Sequence, residues 1–523
     1  MEEGEAPPLP RLERRKLRPL RPADLWTSLC RNRGRYFTAC SRRGAHALGA
    51  AAVSPFSLSP KARLPVGCRP CSPRCATLPS VLYGLIRSLV ALAVRLFYRV
   101  EATGPAEEAE GPAIFVGNHP NGLIDPTLIF VATQRRVTFM AKAPLFKMPV
   151  VGMLLRGLGA LPVYRRQDDP GQTSRNEGTF EAAGRALSEG GAIMLFPEGI
   201  SHSAPGLAEL KTGAARIALR VLKQGTPLKI VPVGLTYSEK HRFRSAVLVE
   251  RGTPMTLADP SALGADESEQ VRALTERMAA ALRGVTLNLE AWEDLPLAQT
   301  AEQLYAMQAG EGTSQERLRR WARGVSLLRR EEPARFEALR SALMSFRQRL
   351  VLVRSDPTDL ALVYRAGPVS RFIGKNLLSL VLGFPFFAVG LVLFVVPYHL
   401  PRLAVRAAKQ DLDVVATVKF LTLLLVAPLW WALLTVLGWH AWGWEGGLAA
   451  WLVTPALALF TRYFLERWQA VLRDVSTFFV LGSRAELKRR LLLEGESLTR
   501  TLEPLVAQYG ERADAAVGVS HHR

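Results

Sequence analysis

Four short apolar runs alternate with helical stretches between residues 112 and 260. The runs are AIFVG at 113–117, VTFMA at 137–141, AIMLF at 192–196 and KIVPVGL at 229–235. They are continuous rather than alternating, which is typical of strands buried on both faces of a parallel sheet. Between them, 174–189 and 212–223 show the helical spacing of apolar positions. The pattern predicts an α/β domain over 101–260, with a largely parallel central sheet flanked by helices.

Three longer apolar segments occupy the C-terminal third, at 377–396, 420–439 and 448–465. Each is close to the ~20 residues that a helix needs to cross a bilayer, so the pattern predicts a membrane region over 371–468. The link 440–447 has no Lys or Arg, whereas basic residues flank the outer ends of the last two segments. The positive-inside rule therefore predicts that these two form a transmembrane hairpin whose ends are cytoplasmic.

The first apolar segment, 377–396, differs because basic residues flank it on both sides and because Gly383 and Pro385 interrupt its first half. We expect a bent, re-entrant or interfacial helix pair that does not cross the membrane. The α/β domain and the C-terminus then both face the cytoplasm. The chain is accordingly predicted to be a multi-pass membrane protein.

The stretch 78–100 is apolar but contains Arg87, Arg95 and Arg99, which make a clean membrane-spanning helix costly. We interpret it as a membrane-interfacial helix whose arginines meet lipid phosphates. The alternative is a core helix whose arginines extend their charged ends to water.

The remaining segments are polar and highly charged. Residues 261–370 are predicted to be helical, with charged stretches that form either solvated faces or a partner surface, and 469–523 to be an amphipathic helix with a polar tail. Residues 1–76 are rich in Arg, Pro, Ser and Cys without a helical or strand period, which predicts a disordered tail. A zinc site at the cysteines of 68–75 would lack a second ligand pair at finger spacing.

The net positive charge of the chain indicates which kinds of partner it could bind. The chain carries +21, and 13 Arg and two Lys against five acidic residues in its first 75 residues supply +10 of that. Such an excess of Arg suits nucleic acid or an anionic membrane, and the apolar segments favour membrane lipids. No zinc finger, RNA-recognition signature or basic-aromatic groove is found, so no nucleic-acid partner is expected. All five cysteines precede residue 76, so no later domain depends on a disulfide, which fits a cytosol-facing domain.

Candidate chemistry begins where the first strand ends, in Asn118-His119-Pro120-Asn121-Gly122-Leu123-Ile124-Asp125. A histidine can take the proton of a hydroxyl when a carboxylate holds its other ring nitrogen, and no side-chain nucleophile is then needed. His119 and Asp125 are six apart and would point about 240° apart on an unbroken helix, so they meet only if the intervening residues form a loop. The alternative is that Asp125 caps a helix and His119 is an ordinary loop histidine.

Further polar residues follow two other extended runs. Arg165 comes after a short run that begins at Gly159, and Arg is suited to bidentate phosphate binding, although a surface salt bridge is its ordinary role. The third strand ends in Phe-Pro-Glu198-Gly199-Ile-Ser201-His, at the carboxyl end of a strand, where open α/β sheets bind ligands. Lys211 precedes a helix that starts with small residues, which suits an anion site, or it is a surface lysine.

These four blocks, Asn-His…Asp, Gly…Arg, Phe-Pro-Glu-Gly and Val231-Pro232-Val233, occur in the order of motifs one to four of the glycerol-phosphate and lysophosphatidate acyltransferase superfamily, which the chain resembles. FPEGISH, LKTGAARIAL and VTLNLEAWEDL are similar to the branch of fungal glycerol-3-phosphate/dihydroxyacetone-phosphate acyltransferases and their large bacterial relatives. The superfamily spacing is His-x4-Asp, whereas five residues intervene here, as is familiar in that branch. The resemblance covers about residues 79–470 and implies the glycerolipid acyltransferase fold.

The resemblance also implies roles for individual residues. His119 would be the catalytic base and Asp125 its electrostatic support. Substrate binding would involve Asn118, with Arg165 and Lys211 at the acceptor phosphate, Glu198, Gly199 and Ser201 at the glycerol, and Pro232 at the acyl side. No metal and no cofactor are implied beyond acyl-CoA or acyl carrier protein as co-substrate.

The function expected is transfer of a fatty acyl group to a hydroxyl of glycerol-3-phosphate or dihydroxyacetone phosphate in phospholipid biosynthesis. One alternative is acylation of 1-acylglycerol-3-phosphate or another lysophospholipid, because the same motifs serve both acceptors. A non-catalytic membrane organiser that binds lipid with the same fold is the alternative from another class. The sequence leaves the acyl chain preference and the oligomeric state open.

Overall fold

The computed structural model describes residues 80–105, 110–133, 135–165, 168, 170–306, 313–353, 355–360, 366–408, 412–483 and 485–515. One compact unit comprises 73–364 and 373–523, and the contacts below are those of this unit. The predicted tail 1–76 and its cysteine cluster lie outside the described residues.

The centre of the unit is a sheet of eight described strands. They are β1 Arg99–Thr103, β2 Ala113–Gly117, β3 Val137–Lys142, β4 Leu161–Val163, β5 Ala192–Leu195, β6 Leu228–Tyr237, β7 Ala246–Arg251 and β8 Met255–Leu257. Their order across the sheet is β1-β7-β6-β2-β5-β3-β4, and β8 also pairs with β6. Five pairings are parallel, and only those of β7 and β8 with β6 are antiparallel. The prediction of a largely parallel α/β sheet is therefore confirmed.

Fourteen α-helices are described. They are α1 Ser80–Phe97, α2 Ile124–Ala132, α3 Pro149–Gly157, α4 Asn176–Ser188, α5 Gly213–Lys223, α6 Glu267–Val285, α7 Leu295–Ala306, α8 Ser314–Glu331, α9 Pro333–Leu352, α10 Pro357–Leu360, α11 Ala366–Leu393, α12 Val395–Ala408, α13 Leu412–Ser483 and α14 Ala485–Ala515. Short 3-10 turns occur at Ala143–Lys147, Pro170–Arg175, Pro260–Leu263 and Trp292–Asp294.

Each face of the sheet has its own apolar core because the strands are buried on both sides. On one face, α4, α5 and α6 pack against alternate residues of β2 and β5 such as Ile114 and Ile193. On the other, α1, α2 and the first residues of α13 pack against the intervening positions such as Phe115 and Met194. Both cores leave the polar ends of β2 and β5 at one edge, which is where the candidate site lies.

The α/β unit is longer than the predicted range 101–260. The apolar run at 78–100 divides into α1, which ends at Phe97, and the edge strand β1, which pairs in parallel with β7. At the other end, α6 packs on the sheet so closely that a Cβ on Gly234 would lie 1.9 Å from the Val285 carbonyl oxygen. Asp266 fixes the start of α6 by accepting a 2.8 Å hydrogen bond from the Glu269 backbone N–H. Residue 260, the predicted end of the domain, therefore lies in a loop within the α/β unit.

The predicted helical region and the C-terminal amphipathic helix form one bundle. Helices α7, α8, α9 and α14 share a core that includes Leu297, Phe336, Phe346 and Leu502. A capping box of Thr313 and Glu316 begins α8. Although α10 to α13 lie between them in the chain, α14 packs against α7, α8 and α9, so its apolar residues are buried against protein.

The apolar C-terminal segments lie in α11, α12 and α13. Among the described residues, two helical spans are long and apolar enough to cross a membrane, Asn376–Leu393 and Val414–Leu472. Most of their large apolar side chains are exposed, which is consistent with membrane association. The expected interruption of the first segment at Gly383 and Pro385 is wrong, because α11 is continuous through both. The helix instead breaks at Phe394, where the Trp430 indole donates a 2.9 Å hydrogen bond to the Leu393 carbonyl.

The second span is folded back on itself. Helical geometry fails at Trp442 and Gly443, where Gly443 has a φ of 67°. The two legs run side by side, since the rings of Trp431 and Trp451 stack with centroids 5.6 Å apart. We call residues 412–441 the first leg and 444–483 the second leg. Small residues allow the close approach, because a Cβ on Gly438 would lie 2.7 Å from the Gly446 carbonyl oxygen.

Candidate active site

The loop between β2 and α2 brings together the histidine and the carboxylate singled out in the sequence. The chain leaves β2 at Gly117, turns at Gly122, whose φ is 41°, and enters α2 at Ile124. Asp125 therefore lies in the first turn of α2, beneath the loop. Its Oδ2 atom is 2.8 Å from Nδ1 of His119. The loop geometry that the sequence requires for this pair is the one observed.

Asp125 is fully buried and accepts hydrogen bonds on both carboxylate oxygens. Oδ2 accepts from the Asn121 backbone N–H at 2.6 Å as well as facing His119. Oδ1 accepts from the hydroxyl of Tyr237 at 2.5 Å. A buried carboxylate needs such donors because it has lost its water. Together they fix the orientation of the oxygen that holds the imidazole.

His119 is held on three sides and open on one. Its ring stacks on Phe196 with centroids 4.0 Å apart and planes 10° apart. Its backbone N–H donates to Glu198 Oε1 at 2.7 Å. Because a carboxylate can only accept, the proton between His119 and Asp125 belongs to Nδ1, and Nε2 then carries the lone pair. The side chain is 18% exposed, so Nε2 is able to meet a ligand.

A second layer of polar groups surrounds Asp125. The Asn121 amide donates to the hydroxyl of Tyr98, and Tyr98 in turn donates to the Lys240 carbonyl. Burial raises the pKa of Tyr237 well above its usual value, and the nearby Asp125 charge raises it further. Burial likewise raises the pKa of Tyr98. Both phenols therefore remain hydrogen-bond donors at neutral pH.

Glu198 lies under the site rather than in it. Its side chain is buried, and its Oε2 atom pairs with Nε2 of His202 and accepts from the Ala208 backbone N–H at 2.8 Å. Its other oxygen accepts from the backbone of His119. Both oxygens of Glu198 face protein in this structure, and its contact with the glycerol stays a prediction. Glu198 joins the loop after β5 to the loop that carries His119.

The amide side chain of Asn118 pairs with the backbone of β6. Its Nδ2 donates to the Leu235 carbonyl at 3.0 Å, and its Oδ1 accepts from the Leu235 N–H at 2.7 Å. Both ends of the amide thus extend the pairing of β2 with β6 beyond the last register pair, Gly117 with Val233. This backbone contact fixes the start of the His119 loop, and the substrate contact of Asn118 stays a prediction.

Arg165 approaches the site through the turn after β5. One guanidinium nitrogen donates to the Gly199 carbonyl at 3.1 Å. The rest of the fork makes two 2.7 Å hydrogen bonds to the carboxylate of Asp168. These bonds lower the pKa of Asp168 and keep it ionised. The planar fork expected to bind phosphate therefore holds an internal carboxylate in this structure.

The remaining predicted site residues are Lys211, Ser201 and Pro232. Lys211 precedes α5, is exposed, and passes beside Gly199, where an added Cβ would be 3.4 Å from Lys211 Cγ. Lys211 and Arg165 thus converge on Gly199, while Ser201 lies further along the same loop, half-buried. Pro232 is buried in β6, and a Cβ on Gly252 would lie 2.8 Å from it, on the face covered by α6.

Sequence reasoning missed Phe196 and Tyr237 as site residues. Phe196 directly follows β5 and Tyr237 is the last residue of β6, and both strands are adjacent to β2, so their position at the carboxyl edge of the sheet was a usable signal once the strand order is known. The order itself is not readable from apolar runs. Within the described ranges, no group of three or more His, Cys, Asp or Glu residues lies close enough together to hold a metal ion.

Known proteins are similar to this part of the chain. Residues 99–236 match the family model described as Acyltransferase. An uncharacterized acyltransferase of Schizosaccharomyces pombe is 33% identical over 126 residues, which cover 23% of this chain and 19% of that protein. Glycerol-3-phosphate O-acyltransferase 1 of Saccharomyces cerevisiae is 34% identical over 130 residues, covering 23% and 17%. The matched segment therefore spans less than a fifth of either yeast relative.

Among solved structures, the 1-acyl-sn-glycerophosphate acyltransferase PlsC of Thermotoga maritima matches with 22% identity and a TM-score of 0.30, over 39% of this chain and 77% of that chain. The family match covers β1 to β6 and includes His119, Asp125, Arg165 and Glu198. The segment 99–236 is thus similar to the Acyltransferase family model, and a glycerol-3-phosphate acyltransferase is among its relatives.

Proposed function

We propose that the protein is a membrane-bound O-acyltransferase that acylates a hydroxyl of a phosphorylated glycerol. The acceptor is glycerol-3-phosphate or dihydroxyacetone phosphate, and the donor is acyl-CoA or acyl carrier protein. The observation that carries this proposal is the contact of buried Asp125 with Nδ1 of His119, which leaves Nε2 as a base at the carboxyl edge of the sheet. The similarity to a yeast glycerol-3-phosphate acyltransferase supports the choice of acceptor.

In the proposed reaction, His119 acts as a general base. Nε2 takes the proton of the acceptor hydroxyl as the oxygen attacks the thioester carbonyl carbon. The tetrahedral intermediate then collapses, the carbon–sulfur bond breaks, and the thiolate receives the proton from the imidazolium. Asp125 stabilises the imidazolium, because its negative charge lies 2.8 Å from Nδ1.

The acceptor phosphate is proposed to bind between Arg165 and Lys211. Their side chains converge on Gly199, one through a hydrogen bond to its carbonyl and the other by passing next to its Cα. Two cations near one glycine offer both a forked donor and a point charge to a phosphate dianion. Binding requires the phosphate to displace Asp168 from the guanidinium, or to share it.

The decisive experiment is an acyl-transfer assay on purified full-length protein. Glycerol-3-phosphate, dihydroxyacetone phosphate and 1-acylglycerol-3-phosphate are compared with one acyl donor, alongside His119→Ala. We expect the first two to be the better substrates and the variant to be inactive. A preference for the lysophospholipid would move the assignment to the second acylation step, and wild-type activity of the variant would contradict the catalytic proposal.

The membrane region is proposed to be multi-pass, with the acyltransferase domain on the cytoplasmic side. The basic residues at both outer ends of the hairpin support this orientation, since Lys419 precedes the first leg's apolar part and Arg467 and Arg473 follow that of the second. The turn at Trp442–Gly443 then lies on the far side, where tryptophans favour the bilayer interface.

A further inference from the structure

The base of the first leg touches the loop that carries His119. The hydroxyl oxygen of Thr417 accepts a 3.2 Å hydrogen bond from the backbone N–H of Leu123, which is 294 residues away in the chain. Leu123 is the residue before α2 and provides no side-chain cap for that helix. Helix starts leave backbone N–H groups without partners inside the helix. Here a membrane-region helix supplies the acceptor at the turn that holds Asp125.

Apolar packing keeps Thr417 in place. Its neighbours Ala416 and Phe420 are 0% and 8% exposed and belong to the same core as Ile124 and Leu128 of α2. The ring of Phe420 meets that of Phe97 edge to face, with centroids 5.8 Å apart. The base of the leg is therefore part of the α/β core, whereas most of the leg beyond it exposes apolar side chains.

Polar contacts attach both legs to the loop between β6 and β7. Lys419 in the first leg donates to the His241 carbonyl at 2.7 Å. Glu466 in the second leg accepts a 2.6 Å hydrogen bond from Nε of Arg244. Arg244 has a φ of 64°, the only positive φ outside glycine in the described part of the chain. A side chain in that conformation is strained, so the surrounding contacts must hold it there.

We propose that Thr417 is a positioning residue for the catalytic loop, so that the first leg is a functional part of the active site as well as a membrane anchor. The inference rests on the proposed acyltransferase function. The hydrogen bond from the Leu123 N–H to Thr417 fixes the turn between His119 and Asp125. Loss of the acceptor removes the partner of that part-buried N–H and lets the turn move.

The test compares Thr417→Val, which keeps the shape but removes the acceptor, with Thr417→Ser, which keeps the hydroxyl. Both are made in the full-length protein. We expect Thr417→Val to lower kcat roughly three- to tenfold with the acceptor KM within about twofold, the size of one lost hydrogen bond. Thr417→Ser should keep kcat within about twofold of wild type. A purely structural role would not give rescue of kcat at constant KM.

Thr435→Val is the matched control, because Thr435 lies in the same leg and its hydroxyl donates only to the Trp431 carbonyl one turn earlier. Hydrogen exchange of the peptide 118–128 is measured on the same three variants in detergent. We expect faster exchange in Thr417→Val alone. Wild-type exchange and wild-type kcat in Thr417→Val would overturn the proposal.

Exchange also separates this inference from the proposed function. If the wild-type protein acylates none of the three acceptors, the proposed function fails. Faster exchange in Thr417→Val would then still support the positioning of the loop by the first leg, and unchanged exchange would reject that too.

Discussion

The phenolic oxygen of Tyr237 lies 2.5 Å from Oδ1 of Asp125, although the two residues are 112 positions apart in the chain. Asp125 faces His119 through its other oxygen, so a tyrosine on the neighbouring strand completes the support of the base. We expect Tyr237→Phe to lower kcat about three- to thirtyfold and leave the acceptor KM nearly unchanged, since a hydrogen bond to a charged group is lost. Steady-state kinetics measures both. Tyr98→Phe, which does not touch Asp125, is the control and should affect kcat less.

The raised pKa of Tyr237 predicts a pH effect on stability. The folded protein holds the phenolic proton more tightly than the unfolded chain, whose tyrosine pKa is about 10. The contribution to stability is therefore complete below about pH 10 and is lost as the pH rises above that value. We expect the free energy of unfolding to fall less steeply between about pH 10 and 11 in Tyr237→Phe than in wild type. Equal slopes in denaturant titrations would contradict the burial of this hydroxyl.

Asp125→Asn should lower turnover with little change in acceptor affinity. The carboxylate stabilises a charge that forms on His119 only in the transition state, so its loss is expected to reduce kcat about 10²- to 10⁴-fold. The acceptor KM should stay within about threefold. A variant whose KM rises while kcat is preserved would show that Asp125 acts in substrate binding instead.

Substitutions of Arg165 and Asp168 are expected to change the acceptor KM in opposite directions. Arg165→Ala should raise the acceptor KM, because the forked donor is lost. Asp168→Asn should lower that KM about three- to tenfold, because the competing carboxylate charge is removed while the size is kept. Both are read from initial rates over a range of glycerol-3-phosphate at fixed ionic strength. If Asp168→Asn raises KM, the carboxylate orients Arg165 for binding and does not compete.

Glu198→Gln separates two roles of the buried carboxylate. If Glu198 joins the two loops, as its contacts with the His119 backbone and with Ala208 indicate, kcat and the melting temperature should both fall and the acceptor KM should hold. A contact with the glycerol predicts the reverse, a raised KM in a protein of normal stability. Thermal melting and kinetics of the same preparation distinguish them.

Membrane orientation can be tested on a chain without cysteine. Deleting residues 2–76 removes all five cysteines and is expected to leave membrane attachment and activity intact, because every motif follows. Single cysteines are then placed at the exposed positions Ser174, Ala407 and Glu445. Only Glu445→Cys should react with an impermeant reagent in intact cells. Gly446 is unsuitable because a Cβ there would lie 2.4 Å from the Gly438 carbonyl oxygen. If Ala407→Cys reacted with the reagent and Glu445→Cys did not, the orientation would be opposite to the one proposed.

The sheet and the position of the candidate base were predictable, because continuous apolar runs and polar residues at strand ends are local signals. The orientation of Glu198 was not predictable. The motif Phe-Pro-Glu-Gly is compatible both with a carboxylate that faces a ligand and with one that is buried beneath the site. The break at Phe394 was likewise missed. Gly383 and Pro385 lower helix propensity locally, but the close packing of Gly383 on Phe464 stabilises the continuous helix there. Such long-range contacts, like that of Thr417 with Leu123, leave no periodic trace in a sequence.

The pairing of Leu123 with Thr417 also sets an order of events during synthesis. At about 5 to 20 residues per second, the 294 residues between them take roughly 15 to 60 s to translate. After β8 ends at Leu257, the nascent domain has all eight described strands but still lacks the acceptor that fixes the turn beside His119. The loop is completed only when the base of the first leg has left the ribosome and packed against α2. Completion of the loop that carries His119 therefore follows production of the first leg.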